Sequence, residues 1–171
     1  MTKHTLVALV EDKPGVLNRV TSLIRRRGFN IESLAVGHSE LPGLSRMTIV
    51  VDGATTAVEQ VRKQLEKVIE VVKLTDITQG RIIARELALI KVHATSATRS
   101  EIIQIVDIFR ANIVDVSADS LIVEATGDEE KIDSLYSLLK KFGIKELART
   151  GRIALPRGGV GASRVGEQTR D

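Results

Sequence analysis

Hydrophobic residues in the first half of the chain recur with two different periods. Across residues 15–27, and again across 55–69, they are spaced three and four apart, which is the pattern of an amphipathic helix. Short apolar or alternating runs, typical of β-strands, flank these two helices. The predicted order is strand, helix, strand, strand, helix, strand, with the strands at residues 4–11, 30–37, 45–52 and 71–78.

The second half of the chain repeats this order. Helical stripes at residues 99–110 and 128–143 alternate with strand-like runs at 87–94, 112–117, 121–125 and within 144–155. Each half therefore predicts a βαββαβ unit. This is the ferredoxin-like arrangement, in which two helices cover one face of an antiparallel sheet.

The expected fold class is α+β, with two consecutive ferredoxin-like domains. We place the first domain at residues 4–78, a linker at 79–84 and the second domain at 85–157. The glycine-containing segment 158–171 has no apolar period and is predicted to be a disordered tail. Domains this small leave sheet edges without a partner strand, so we expect the chain to associate through them.

The residue types present exclude several classes of chemistry. The 171 residues include no cysteine, which excludes disulfides, thiolate nucleophiles and cysteine-ligated metals. The histidines, His4, His38 and His93, do not have the spacing of metal ligands. The sequence has no Gly-x-Ser-x-Gly motif and no phosphate-binding glycine loop between a strand and a helix. We expect no catalytic site and no metal or cofactor in this chain.

Charge and hydropathy narrow the expected partners. The net charge of +3 is spread thinly, and no segment has the concentrated positive charge of a nucleic-acid binder. No apolar stretch reaches the length that spans a bilayer, and the N-terminus lacks a signal-peptide pattern. A cytoplasmic protein that binds neither nucleic acid nor membrane is expected.

The loop at residues 11–17, between the first strand and the first helix, is the main candidate site. Free backbone N–H groups and the helix dipole favour a carboxylate there, and Gly15 lets a ligand approach the backbone. Asp12 has the charge to pair with an ammonium group, so the loop suits a zwitterionic amino acid. The alternative is that Asp-Lys-Pro-Gly only forms a stable turn.

Two neighbouring features are also open to two interpretations. Asn30 offers a donor and an acceptor at the start of the second strand, or it assists the turn after Gly28. The arginine run at residues 25–27 fits a solvated helix end or, less favourably, a docking patch.

Several segments resemble a known family. Residues 10–20 (Val-Glu-Asp-Lys-Pro-Gly-Val-Leu-Asn-Arg-Val) and 27–34 (Arg-Gly-Phe-Asn-Ile-Glu-Ser-Leu) resemble an ACT domain, a module found in many amino-acid sensors. Together with segments 44–48, 85–92, 108–110, 113–116 and 148–151, they resemble the small regulatory subunits of acetolactate synthase, also called acetohydroxyacid synthase. The resemblance extends from residue 4 to about residue 157.

This resemblance implies a homodimer whose ACT domains join into one sheet and bind a branched-chain amino acid at their interface. Valine, leucine or isoleucine would lie between the loop after the first strand of one chain and the second strand of the other. Many relatives have Asn at the position of Asp12, and a carboxylate there attracts the ligand's ammonium but repels its carboxylate. Carried onto this chain, the effector-binding residues are Asp12, Gly15, Val16, Asn30 and Ile31.

The resemblance also implies a catalytic large subunit as partner, which carries thiamine diphosphate, Mg²⁺ and FAD. The small chain would not be catalytic by itself. It would activate the large subunit and confer feedback inhibition by valine or another branched-chain amino acid. The alternative is an ACT-domain amino-acid sensor acting on transcription, although the sequence has no helix-turn-helix segment and no basic stripe.

Overall fold

The computed structural model describes residues 2–158 and divides the chain into two compact units. Within the described residues, the first unit contains residues 2–83 and 154–158, and the second contains Ala84–Ile153. Both units have the βαββαβ order, which confirms the predicted fold class. The domain boundaries at residues 4–78 and 85–157 stay a prediction, and residues 159–171 of the predicted tail lie outside the described residues.

The first unit is a four-stranded antiparallel sheet with two helices. The strand order is β2-β3-β1-β4, so β1 and β3 are central and β2 and β4 form the edges. The elements are β1 (Thr2–Glu11), α1 (Val16–Arg26), β2 (Asn30–His38), β3 (Leu44–Gly53), α2 (Thr55–Leu65) and β4 (Val71–Asp76).

The second unit repeats this topology with the order β6-β7-β5-β8. One further strand, β9, pairs with β5, and residues 154–156 of β9 and residues 82–83 of β5 fall in the first unit. A 3₁₀ turn at Lys140–Phe142 follows the last helix. The elements are β5 (Ile82–His93), α3 (Arg99–Ile108), β6 (Asn112–Val116), β7 (Ser120–Gly127), α4 (Glu129–Leu139), β8 (Ile144–Arg149) and β9 (Ile153–Pro156).

Aliphatic side chains form the core of each unit. In the first unit, alternate residues of β1 pack against the helix positions Val16, Val20 and Ile24, all at most 3% exposed. In the second unit, alternate residues of β5 pack with Ile102 and Val106 of α3. Burying each such side chain contributes about 1.5–3 kcal/mol, which explains how a chain with 2% aromatic residues forms two cores.

The two units can be aligned residue by residue. The central strand has an irregularity at Leu9/Val10 in the first unit and at Lys91/Val92 in the second, each against the last strand of its βαββαβ set. The edge strands β2 and β6 both have an irregularity one residue after their first asparagine. Val92 is therefore equivalent to Val10, and Asn112 is equivalent to Asn30.

Helices α1 and α3 end in the same hydrogen-bonded motif. Gly28 N–H donates to Arg25 O over 2.9 Å, and in the second unit Arg110 N–H donates to Asp107 O over 3.0 Å. The next N–H in each unit reaches back to the carbonyl one residue earlier, which completes a Schellman motif. Gly28 and Arg110 have φ values of +74° and +50°, and glycine is the residue that adopts this region at least cost.

Some element boundaries differ from the sequence prediction. Helix α2 ends at Leu65 rather than at residue 69, because the chain must turn to enter β4 at Val71, and Ile69 is 88% exposed. Strand β5 begins at Ile82, within the predicted linker, and residues 144–155 contain two strands rather than one. None of the helices described within residues 2–158 is long and apolar enough to span a membrane.

Substitutions at the two equivalent helix ends, Gly28 and Arg110, should change local stability in opposite directions. Arg110→Gly should stabilise the end of α3 by about 0.5–1 kcal/mol, because it relieves a positive φ at the cost of some chain entropy. Gly28→Ala should destabilise α1 by about 1 kcal/mol for the reverse reason. Amide hydrogen exchange, which reports the opening of each helix separately, measures both effects. Slower exchange in α1 of Gly28→Ala would contradict this account.

Candidate functional site

The loop between β1 and α1 presents its backbone at the start of the helix. Asp12 N–H donates to Gly43 O over 2.9 Å, which fixes the loop against the β2–β3 hairpin. Gly15 is the N-cap residue with φ of +87°, and no side chain caps the helix. No atom lies within 4 Å of the place where a β-carbon on Gly15 would be. The start of α1 is therefore open to an anionic group from a ligand.

The Asp12 carboxylate connects this loop to the two strands of the hairpin. Its Oδ1 accepts a hydrogen bond from Ser45 Oγ at 3.3 Å, and its Oδ2 lies 3.3 Å from His38 Nδ1. The side chain is 46% exposed, so it has lone pairs free for a further donor. A carboxylate held in this way next to open N–H groups provides complementary charges for a zwitterion.

The Val16 side chain has a structural role in addition to its predicted one. It is 3% exposed and belongs to the core of the first unit. Its N–H makes only a long bond, 3.4 Å, to Lys13 O. What Val16 can offer a ligand is therefore its backbone N–H.

Asn30 and Ile31 lie at the opposite end of the same sheet. Strands β1 and β2 are both antiparallel to β3, so they run parallel to each other, and Asn30 pairs with Asp52 while Glu11 pairs with Leu44. The eight residue steps from Leu44 to Asp52 along β3 span roughly 25 Å at the rise of an extended strand. One chain thus brings Asp12, Gly15 and Val16 together but does not bring Asn30 and Ile31 to them.

Asn30 is exposed, and Ile31 packs partly against the core. Asn30 Nδ2 donates to Glu32 Oε1 over 3.1 Å, which leaves its carbonyl oxygen available.

Sequence reasoning did not identify Ser45 and His38 as neighbours of Asp12. The tight hairpin between β2 and β3 returns the chain to the end of β1, which places both residues beside the loop. The sequence signal for this contact is the Pro/Gly turn at residues 39–43, but which residues the turn brings to Asp12 depends on the order of the strands. Within residues 2–158, no three His, Asp or Glu side chains come together in a way that could hold a metal.

The second unit retains only part of this arrangement. Ala94 is equivalent to Asp12, because its N–H donates to Asp119 O over 2.9 Å just as that of Asp12 donates to Gly43 O. Three residues further on, Ala97 stands in the place of Gly15. Asn112 stands in the place of Asn30, and its Nδ2 donates a hydrogen bond to Glu124 Oε1 over 3.4 Å. The complementary charges for a zwitterion are therefore found in the first unit.

Comparisons with known proteins agree across the chain. Residues 6–73 match the family model described as "AHAS small subunit-like ACT domain", and residues 85–158 match "Small subunit of acetolactate synthase". A probable acetolactate synthase small subunit from Archaeoglobus fulgidus is 58% identical over 156 residues, covering 91% of this chain and 98% of that protein. The acetolactate synthase small subunit of Mycobacterium bovis is 53% identical, covering 94% and 97%.

A solved structure is similar over nearly the same length. The crystal structure of the acetolactate synthase small subunit from Thermotoga maritima has a TM-score of 0.85 and 43% sequence identity, and the match covers 93% of this chain and 99% of that one.

The positive φ of Gly15 gives a test of the loop geometry. Gly15→Ala should destabilise the protein by about 1–2 kcal/mol, although the space around the residue is open, because an L-residue is strained in that region. Gly37→Ala in β2 is the matched control, since Gly37 also has open space but no positive φ. Urea unfolding should show a change within about 0.5 kcal/mol for the control. Equal effects in the two variants would exclude the assigned φ at Gly15.

Proposed function

The chain belongs to the acetolactate synthase small-subunit family, and from this premise we propose that it activates the catalytic large subunit and makes it sensitive to a branched-chain amino acid. The small subunit has the regulatory role in this proposal, and the large subunit holds the thiamine diphosphate, Mg²⁺ and FAD. Valine is the leading effector, with leucine and isoleucine as the other candidates. The observation that carries the proposal is the open helix start at Gly15 beside the Asp12 carboxylate.

A homodimer through strand β2 is the first part of this proposal. Ser39 N–H donates to Leu44 O over 2.9 Å, so the alternate residues before it, such as Gly37 and Ala35, also face β3. The N–H and C=O groups of Leu34, Val36 and His38 then point away from the sheet. This row of free groups on an edge strand favours pairing with the same strand of a second copy.

Antiparallel pairing of two β2 strands would complete the effector site. With the two-fold axis near Leu34, the middle of β2, Asn30 of the second copy lies opposite His38 of the first. His38 contacts Asp12, so Asn30 of the second copy approaches the loop that is distant from it within one chain. The dimer explains why the predicted site residues lie at opposite ends of one sheet.

The charge and hydrogen-bonding capacity of each group determine which part of the effector it contacts. The N–H groups after Gly15 take the carboxylate, Asp12 takes the ammonium, and Asn30 of the second copy adds a polar anchor. Ile31, beside Asn30, gives an aliphatic neighbour to the side chain. An effector bound between two copies alters their packing, and the large subunit responds to that difference through a coupling free energy of about 1–3 kcal/mol.

Removing the Asn30 amide should separate inhibition from activation. Asn30→Ala should weaken valine inhibition of the reconstituted enzyme about tenfold or more, because one polar contact to the effector is lost, while stimulation of the large subunit persists. Inhibition curves on the purified pair give both values. Asn112→Ala, at the equivalent position of the second unit, is the control and should leave valine sensitivity unchanged. Unchanged sensitivity in Asn30→Ala would count against the assigned site.

Removing one outward N–H of β2 should weaken the dimer. Val36→Pro deletes a donor that faces away from β3, and proline is tolerated on an edge strand, so the sheet itself should survive. Sedimentation velocity should show a shift from dimer toward monomer, together with weaker valine binding. Val36→Thr keeps the N–H and should remain dimeric. Dimers of undiminished stability in Val36→Pro would place the interface elsewhere.

A further inference from the structure

A groove of about 280 Å³ lies on the outer face of α1 in the first unit. Leu23 and Val68 are half-buried and form an apolar floor, while two exposed arginines stand at the rim. The turn after α2 contributes one wall and α1 contributes the rest. The residues that line the groove are Asn18, Arg19, Ser22, Leu23, Arg26 and Val68.

The charge around this groove is of one sign along the helix. Helix α1 contains Arg19, Arg25 and Arg26 and no acidic residue. Arg19 pairs with Glu70, yet its side chain is 62% exposed, and Arg26 forms no ion pair with any residue of the described chain. The helix dipole accounts for cations in the last turn, but it does not account for Arg19 in the first half of α1.

The second unit shows that the fold does not require these arginines. Because Gly28 and Arg110 end equivalent helices, Arg19 is equivalent to Glu101 of α3, and Arg26 is equivalent to Ile108. The same backbone thus carries an anion and an apolar side chain where the first unit has two cations.

The second unit has a different ion pair between the corresponding helix and turn. Lys141 lies in the turn after α4, as Val68 lies in the turn after α2. The Lys141 ammonium pairs with Glu101 and lies 4.9 Å from the centre of the Phe142 ring. In the second unit the turn thus carries the cation and the helix carries the anion, the reverse of Arg19 and Glu70 in the first unit. The helix positions that line the groove with arginines are therefore basic in the first unit and not in the second.

We propose that this groove is the surface on which an acidic segment of the catalytic subunit docks. A carboxylate of that segment pairs with Arg26 and with the exposed side of Arg19, and an adjacent apolar side chain packs on Leu23 and Val68. The apolar floor favours a protein segment over a nucleic-acid backbone, which brings no apolar side chain. The proposal rests on the function proposed above, because it takes the catalytic subunit as the partner.

Charge reversal within and beside the groove tests this assignment. Arg26→Glu should raise the concentration of small subunit needed for half-maximal stimulation of the catalytic subunit about tenfold or more, because repulsion replaces attraction. Arg25→Glu makes the same charge change in the same turn, outside the groove lining, and should shift that concentration less than about threefold. Ser22→Trp keeps the charge but fills the groove, and it should weaken stimulation as Arg26→Glu does.

The outcomes distinguish a failure of the groove as the docking site from a failure of the proposed function. Circular dichroism and valine calorimetry on every variant should match the unmodified chain, which shows that folding and effector binding are intact. Equal shifts in Arg26→Glu and Arg25→Glu, or normal stimulation by Ser22→Trp, would overturn the groove as the docking site. Failure of the unmodified chain to stimulate its catalytic subunit would overturn the proposed function instead. Salt-sensitive binding of duplex DNA that is lost in Arg26→Glu would make the groove a nucleic-acid site and overturn the proposal.

Discussion

The antiparallel register of β1 against β3 is the constraint on which the candidate site depends. It aligns Glu11 with Leu44, so the end of β1 meets the end of the β2–β3 hairpin. This placement brings Ser45 and His38 to the Asp12 carboxylate and aims the start of α1 into the same region. A shift of the register by one residue would move every core side chain of β1 to the other face, so the burial of Leu6, Ala8 and Val10 also holds the site in place.

The same register separates the remaining site residues. A strand of nine residues has two distant ends, and β2 carries Asn30 at one end and His38 at the other. In the proposed mechanism a two-fold pairing of β2 strands brings these ends together, so effector binding and self-association are linked. Linkage of this kind converts the concentration of a small amino acid into a change of subunit packing.

The two units have the same backbone arrangement but different side chains at the candidate sites. They share the strand order, the irregularities of the central and edge strands and the Schellman motif after the first helix. They differ in that Ala94 stands in the place of Asp12. They also differ in an ion pair between helix and turn, which is Arg19–Glu70 in the first unit and Glu101–Lys141 in the second. Asp12 and Arg19 of the first unit are exposed, whereas Ala94 is buried in the core of the second unit. The proposed ligand and partner sites therefore both rest on residues of the first unit.

The sequence by itself determined the element order, the repeat and the family. These follow from local signals, namely the helical and strand periods of the apolar residues and short motifs such as residues 10–20. Tertiary structure decided the end of α2, because the apolar period continues to Ile69 although the chain has to turn into β4. It also decided that His38 and Ser45 adjoin Asp12 and that Asn30 does not. Those relations depend on strand order and register, which bring residues together from distant parts of the chain and leave no periodic trace in the sequence.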